Sequence, residues 1–173
     1  DVMKNVMKYA KILKKDPENY EARAEIMWCG SLSHNGLTGC GTCGGDWATH
    51  LIEHELGGMF DVAHGAGLAA VWGSWARYVM DEKPERFAQF AVDVMGVEES
   101  DDVKSTALKG IEAVEEFYRM IEMPTNMKEL GINPTDEQIK DMAMKATNND
   151  TQQLGAFKKL SAKDLVEIYT AAK

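Results

Sequence analysis

The chain has 173 residues and a formal net charge of −9, enough for one domain that buries about two-thirds of its unfolded surface. Its lysines are scattered, so it lacks the basic stripe with which proteins follow a nucleic-acid backbone. The apolar runs are far shorter than the roughly 20 residues that cross a bilayer. We therefore expect no nucleic-acid and no membrane partner, and the lack of a secretory signal predicts a cytoplasmic protein.

The cysteines favour a reducing compartment. There are three of them, an odd number that does not fit a disulfide framework. Cys40 and Cys43 have the C-x-x-C spacing of a redox pair or of half a zinc site. No second C-x-x-C follows, and no strand leads into this one as in thioredoxin-like proteins. We expect both to be ordinary loop cysteines.

Hydrophobic periodicity predicts helices along the whole chain and no strand. Pro84 suits a first helical turn, and Thr135 with Gln138 and Ser161 with Asp164 form capping boxes. The predicted helices cover residues 2–15, 19–34, 47–57, 68–80, 85–95, 101–122, 125–130, 135–147 and 161–172. The sequence thus predicts an all-α protein, a single helical bundle over residues 1–173.

The sequence also predicts where two sets of apolar residues lie in this bundle. The helix over 19–34 is apolar on much of its circumference toward its end, so we expect it to be central. Trp47, Trp72 and Trp75 either wall a substrate pocket or pack in the core, and we favour core packing. A Gly-rich loop over 36–45 leads into the histidine helix, where it either holds backbone close to a ligand or simply connects.

Three of the four histidines lie between residues 50 and 64. Asp46 is a good N-cap for a helix that Gly57 and Gly58 would end. At a spacing of four, His50 and His54 share one face of that helix, with β-carbons about 5–6 Å apart. A short crossover then brings His64 to the start of the next helix. Because imidazole is the commonest protein ligand of zinc and iron, we predict a metal site here.

Two other interpretations of these histidines remain open. Residues 50–54 fit H-x-x-E-H, the inverted zincin motif, in which His50 and His54 bind zinc and Glu53 is the general base of a peptidase. That interpretation gives His64 no role. Alternatively, the histidines are structural and the chain is a helical interaction module without enzymatic activity. His34, beside Asn35-Gly36, is interpreted as a helix-end residue.

The histidine region resembles the second signature of the iron-dependent (group III) alcohol dehydrogenases, in their butanol dehydrogenase branch. The residues that carry the resemblance are Asp46-Trp47-Ala48-Thr49-His50, His54-Glu55-Leu56 and the run from Asp61 to Ala69. Further similarity lies in 19–28, 123–125, 129–132, 157–164 and 168–169, so it extends over essentially the whole chain. The resemblance implies the helical C-terminal domain of such an enzyme.

The resemblance also implies roles for the histidines. His50 and His64 match the last two of four metal ligands, the metal being Fe²⁺ or, alternatively, Zn²⁺. His54 matches a catalytic histidine that binds no metal but faces the nicotinamide of NAD(P)H and the substrate, a small alcohol or aldehyde. The D-x-x-x-H motif with the first two ligands, and the α/β domain that binds the dinucleotide, are expected before Asp1. We therefore expect a homodimer as the full-length enzyme and little or no turnover from this chain alone.

Overall fold

The computed structural model describes residues 1–42 and 44–173, which form a helical bundle. Within these ranges, regular structure is helical apart from one isolated antiparallel bridge between Leu154 and Leu160, which confirms the predicted all-α class. The helices are α1 (Val2–Lys15), α2 (Tyr20–His34), α3 (Ala48–Phe60), α4 (His64–Val79), α5 (Pro84–Phe90), α6 (Val103–Met120), α7 (Asp136–Ala146) and α8 (Ala162–Ala171). Short 3₁₀ turns follow α2 and α4, at Leu37–Gly39 and Met80–Glu82, and one π-helical segment, Ala91–Met95, continues α5.

Local signals place several helix ends as predicted. Pro84 lies in the first turn of α5, and both capping boxes are formed, at Thr135 for α7 and at Ser161 for α8. In each box the side chain of the cap accepts from a backbone N–H of the first turn, while the third helical residue accepts from the N–H of the cap. These ends depend on neighbouring residues alone, which is why the sequence predicts them well.

The histidine helix α3 is longer than predicted. Gly57 and Gly58 lie inside it, and it ends only at Phe60, after which Asp61 adopts a left-handed conformation with φ 53°. The predicted stop at Gly57 is therefore wrong. A glycine inside a helix costs about 1 kcal/mol relative to alanine, a penalty that packing of the buried face of α3 offsets.

The predicted short helix over 125–130 is also wrong, since these residues form a turn. The carboxylate of Glu129 accepts from the backbone N–H of Thr125 at 2.7 Å and from its hydroxyl at 2.9 Å. Those hydrogen bonds lower the pKa of Glu129. The buried Met127 ties the turn to the bundle, because its N–H donates to the carbonyl of Ala172 at 2.7 Å.

Helix α2 is not central. Met27 is 75% exposed and Trp28 is 60% exposed, and its buried residues are Ala22 and Cys29. The helix packs mainly against α1, which leaves one apolar side of α2 uncovered. Periodicity identifies apolar residues correctly here, but it cannot tell which of them a neighbouring element covers.

The core lies among α3, α4, α6, α7 and α8 and fixes the position of the histidine helix. Its fully buried members include Ile52, Leu56, Val71, Ile139, Met142, Leu165, Ile168 and Tyr169. The hydroxyl of Tyr169 on α8 donates to the carbonyl of Ile52 on α3 at 2.6 Å. None of the described helices is both long and apolar enough to span a membrane.

Asp164 joins α4 to the start of α8. Its Oδ1 accepts from the hydroxyl of Tyr78 at 2.6 Å, and its Oδ2 accepts from the N–H and hydroxyl of Ser161 at 2.7 and 2.5 Å. Burial alone would raise the pKa of Asp164, but the hydrogen bonds from Ser161 and Tyr78 outweigh it, so the pKa is lowered. A lowered pKa in the folded state contributes stability above the unfolded value, near 3.9 for aspartate in general, and this stability is lost as the pH falls toward the folded value.

We therefore predict that Ser161→Ala destabilises the protein more at neutral than at acid pH. At about pH 7 the lost cap should cost on the order of 1 kcal/mol, and the difference from wild type should shrink as the pH falls below the ordinary aspartate value of about 3.9 and through the lowered pKa of Asp164. Urea unfolding at a series of pH values measures the loss of stability at neutral pH and its decrease toward acid pH. Thr135→Ala is the matched control, because its capping partner Gln138 does not titrate. A loss for Ser161→Ala that stays constant over this pH range would contradict the prediction.

Candidate metal centre

Helices α3 and α4 bring the three predicted histidines together. His50 and His54 project from α3, and His64 is the first residue of α4. The ring of His64 lies close to both others, with its centroid 5.5 Å from that of His50 and 5.6 Å from that of His54. The sequence predicted this convergence from the spacing of four on one helix and the short crossover to the next.

His50 is the most enclosed of the three. Its Nδ1 is buried and has no hydrogen-bond partner among the described residues. The ring of Trp47 meets the His50 ring edge-on, with centroids 4.8 Å apart. Burial, together with the neighbouring His64 and His54, lowers the pKa of His50. A neutral imidazole with a free ring nitrogen is the form that binds a metal.

The structure adds Glu53 to the histidine cluster, a place that the sequence did not predict for it as part of a dehydrogenase metal site. The residue is buried, and its Oε2 contacts Nδ1 of His64 across the α3–α4 pair. Ligand atoms of Glu53, His54 and His64 all lie within 4.8 Å of one another. Its spacing from His50 could have predicted this place, because residues three apart on a helix lie on the same side. The H-x-x-E-H spacing had predicted only a peptidase base at Glu53.

These residues fit a divalent cation. Imidazole nitrogens suit zinc and iron, and the two exposed rings of His54 and His64 border an unpartnered nitrogen of His50 and a buried carboxylate. Ligand atoms that converge from two packed helices, with a buried side and an exposed side, can hold a metal and leave one of its positions open. In this geometry His54, rather than His50, is the histidine whose ligand atom lies within 4.8 Å of those of Glu53 and His64.

Comparison with known proteins decides the family. The family described as Fe-containing alcohol dehydrogenase family, C-terminal, matches residues 1–173. The chain belongs to this family. It is 37% identical over 172 residues to the probable NADH-dependent butanol dehydrogenase 1 of Bacillus subtilis, covering 99% of this chain and 43% of that protein. It is 31% identical over 169 residues to the NADH-dependent butanol dehydrogenase A of Clostridium acetobutylicum, covering 97% of this chain and 43% of the relative.

The fold agrees with this membership of the alcohol dehydrogenase family. The crystal structure of NADH-dependent butanol dehydrogenase A from Thermotoga maritima superposes with a TM-score of 0.89 at 33% identity, over 99% of this chain and 44% of that one. The chain therefore spans less than half the length of the relatives that it matches. The resemblance inferred from the histidine signature is confirmed at the level of the family and of its C-terminal helical domain.

The tryptophans of this family member are divided between two environments. Trp72 and Trp75 are half-buried and border a cavity of about 350 Å³, lined also by Arg86, Phe87, Phe90 and Phe157. Trp47 is 58% exposed, so the predicted core packing is wrong for this residue. Helix α3 begins just after Trp47, and the ring rests against His50 rather than against the core.

The remaining residues singled out from the sequence lie apart from the histidine cluster. His34 ends α2, where its Nδ1 lies 2.8 Å from the hydroxyl of Ser33 and 3.1 Å from the carbonyl of Gly30, as expected of a helix-end residue. Cys29 is buried and Cys40 is exposed. Cys43 lies outside the described residues, so the interpretation of the C-x-x-C spacing stays a prediction.

Proposed function

We propose that this chain is the metal-binding part of an NAD(P)H-dependent alcohol dehydrogenase that interconverts primary alcohols and aldehydes. The observation that carries the proposal is the convergence of His50, His54 and His64 on two packed helices, in a chain whose relatives are named butanol dehydrogenases. The proposed substrate is accordingly a small alcohol or its aldehyde.

In this proposal, His50 and His64 hold the metal, Fe²⁺ in preference to Zn²⁺, together with two ligands from outside this chain. The unpartnered Nδ1 of His50 supports its assignment, because a buried ring nitrogen without a hydrogen bond is costly unless a ligand occupies it. When bound, the metal supplies a Lewis acid that lowers the pKa of an alcohol hydroxyl and polarises an aldehyde carbonyl. The backbone N–H groups at the start of α4 add a positive dipole end beside His64.

His54 is proposed to bind no metal and to move a proton. Its ring is exposed, one turn along α3 from His50. Imidazole exchanges protons readily near neutral pH, so His54 can receive the proton of the alcohol and pass it to solvent, or return it to the aldehyde oxygen in the reverse direction. The same exposure allows contact with the nicotinamide ring.

The dinucleotide itself is proposed to bind mainly to an α/β domain outside this chain, in a full-length homodimer. The chain spans 43% of the two relatives named above, and the remainder of such a protein is long enough for that domain. Hydride transfer needs the nicotinamide held at about van der Waals distance from the substrate carbon. The exposed histidine side of α3 and α4 is the surface at which that contact would be made.

The peptidase interpretation is less well supported. In an inverted zincin the glutamate must reach a water that attacks the substrate. The carboxylate of Glu53 is instead buried against His64 and next to Gly67. A buried side chain with that partner is badly placed to act as a general base on an exposed peptide.

We predict turnover from the complete protein and none from residues 1–173 alone, because the chain by itself offers two of the four expected ligands and no dinucleotide domain. The test is reduction of butanal with NADH and with NADPH, after anaerobic loading with Fe²⁺ and, separately, with Zn²⁺. Consumption of either dinucleotide by the complete protein, lost after chelation, is the expected result. Peptide hydrolysis without dinucleotide oxidation would contradict the proposal, and turnover by residues 1–173 alone would contradict the predicted division between domains.

A further inference from the structure

We propose that Glu53 is a positioning residue that fixes the tautomer and orientation of His64, so that Nε2 of His64 faces the metal. The inference rests on the proposed function, since it concerns a histidine assigned there as a ligand. It adds a residue that the histidine signature leaves without a role. It also assigns Glu53 to the support of a ligand rather than to the metal or to the substrate.

The contact between the two side chains is specific. Oε2 of Glu53 meets Nδ1 of His64, although the residues are eleven positions apart and on different helices. The Glu53 side chain is 2% exposed, whereas the His64 side chain is 52% exposed. The carboxylate therefore lies at the bottom of the site, and the histidine reaches from it toward the open side.

The backbone of α4 makes room for this carboxylate. A β-carbon at Gly67 would lie 2.5 Å from Oε1, 2.7 Å from Cγ and 3.0 Å from Cδ of Glu53. Such distances are shorter than non-bonded carbon and oxygen atoms tolerate, so a larger residue at position 67 would displace the whole end of the side chain. Gly67 is one turn from His64, which places the cleared space directly beside the ring.

The chemistry of the pair determines which nitrogen is free. An ionised carboxylate only accepts hydrogen bonds, so Nδ1 of His64 carries the hydrogen and Nε2 keeps its lone pair. A ligand histidine commonly donates its second N–H to a carboxylate, which orients the ring and makes the coordinating nitrogen more basic. The arrangement also gives the buried charge of Glu53 a partner, although Oε1 retains none among the described residues.

The first test reads the tautomer directly and needs no metal. Long-range ¹H–¹⁵N spectra of the ¹⁵N-labelled chain above the pH at which its histidines titrate should show His64 protonated at Nδ1. In Glu53→Ala the same ring should shift toward the Nε2-protonated form, which predominates in free histidine. Detection of Nε2-protonated His64 in the wild-type chain, or an identical spectrum in Glu53→Ala, would overturn the proposal.

The second test measures Zn²⁺ binding to the complete protein by calorimetry. Glu53→Ala should weaken Zn²⁺ binding by about 10- to 100-fold, as is usual for the loss of a carboxylate behind a ligand histidine. Gly67→Ala should act in the same direction, because it displaces Glu53 without removing it. Gly65→Ala is the matched control on the same helix, since a β-carbon there meets none of the described residues within 4 Å, and its Zn²⁺ affinity should equal that of wild type.

The two proposals fail in different ways. If His64→Ala abolishes Zn²⁺ binding while Glu53→Ala and Gly67→Ala leave it unchanged, the role of Glu53 is wrong and the metal site stands. If His64→Ala leaves Zn²⁺ binding unchanged, the proposed metal site is wrong, and the tautomer spectrum alone then decides the role of Glu53. Helical circular dichroism of each variant shows whether it has folded. If Glu53→Ala does not fold, Gly67→Ala tests the role of Glu53 in its place.

Discussion

Replacing His64 by alanine in the complete protein is expected to abolish metal retention and to reduce aldehyde reduction by roughly a thousandfold or more. Lewis-acid stabilisation by a metal contributes several kcal/mol to the transition state, and each 1.36 kcal/mol corresponds to about a tenfold change in rate. His50→Ala should behave in the same way. Metal content after gel filtration, measured by mass spectrometry, and the kcat for butanal with reduced dinucleotide give the two readouts.

His54→Ala separates the two kinds of histidine. It should keep the metal and lower kcat by about 10²-fold, within the range for the loss of a general acid–base group. His34→Ala is a control for the loss of an imidazole, because that ring is bonded to the end of α2 and not to the cluster. Loss of metal in His54→Ala, with full metal content in His64→Ala, would contradict the assignment and favour the inverted zincin.

The histidine convergence was predictable because it follows from local geometry. A spacing of four on a helix sets His50 and His54 on one side, whatever the rest of the fold does. His64 follows after a connection too short to carry it away, and it indeed opens α4. The capping boxes at Thr135 and Ser161 were predictable for the same reason.

Features that depend on contacts between distant segments were not predictable in this way. The apolar residues of α2 suggested a central helix, but α2 packs mainly against α1 and Trp28 is exposed. The pairing of Glu53 with His64 depends on the close approach of α3 and α4, which Gly67 permits. Neither contact can be predicted from a segment of a few residues. The residues next to Glu53 indicate only an H-x-x-E-H motif.

A similar close approach at a glycine occurs where α6 meets the π-helical segment that continues α5. It predicts a large loss of stability on substitution of Gly110. A β-carbon at Gly110 would lie 2.4 Å from Cβ and 2.9 Å from Cα of Ala91. Because a backbone atom is involved, relief requires movement of a whole segment. We expect Gly110→Ala to destabilise the protein by about 1–3 kcal/mol, as overpacking does, although alanine favours a helix by about 1 kcal/mol over glycine.

Urea unfolding at neutral pH measures this loss, and Gly30→Ala is its control. Gly30 also lies within a helix, but a β-carbon there meets nothing within 4 Å, so alanine should stabilise the protein by up to about 1 kcal/mol. Because both glycines lie in helices, opposite changes in the free energy of unfolding at the two positions separate the effect of packing from that of helix propensity. In the double variant Ala91→Gly with Gly110→Ala, the 2.4 Å contact disappears, so the pair should lose less stability than the sum of its single changes. A stabilising Gly110→Ala would mean that the two segments separate easily and that their close contact contributes little to the fold. Strict additivity of a destabilising Gly110→Ala would mean that the backbone of Ala91, and not its β-carbon, causes the loss.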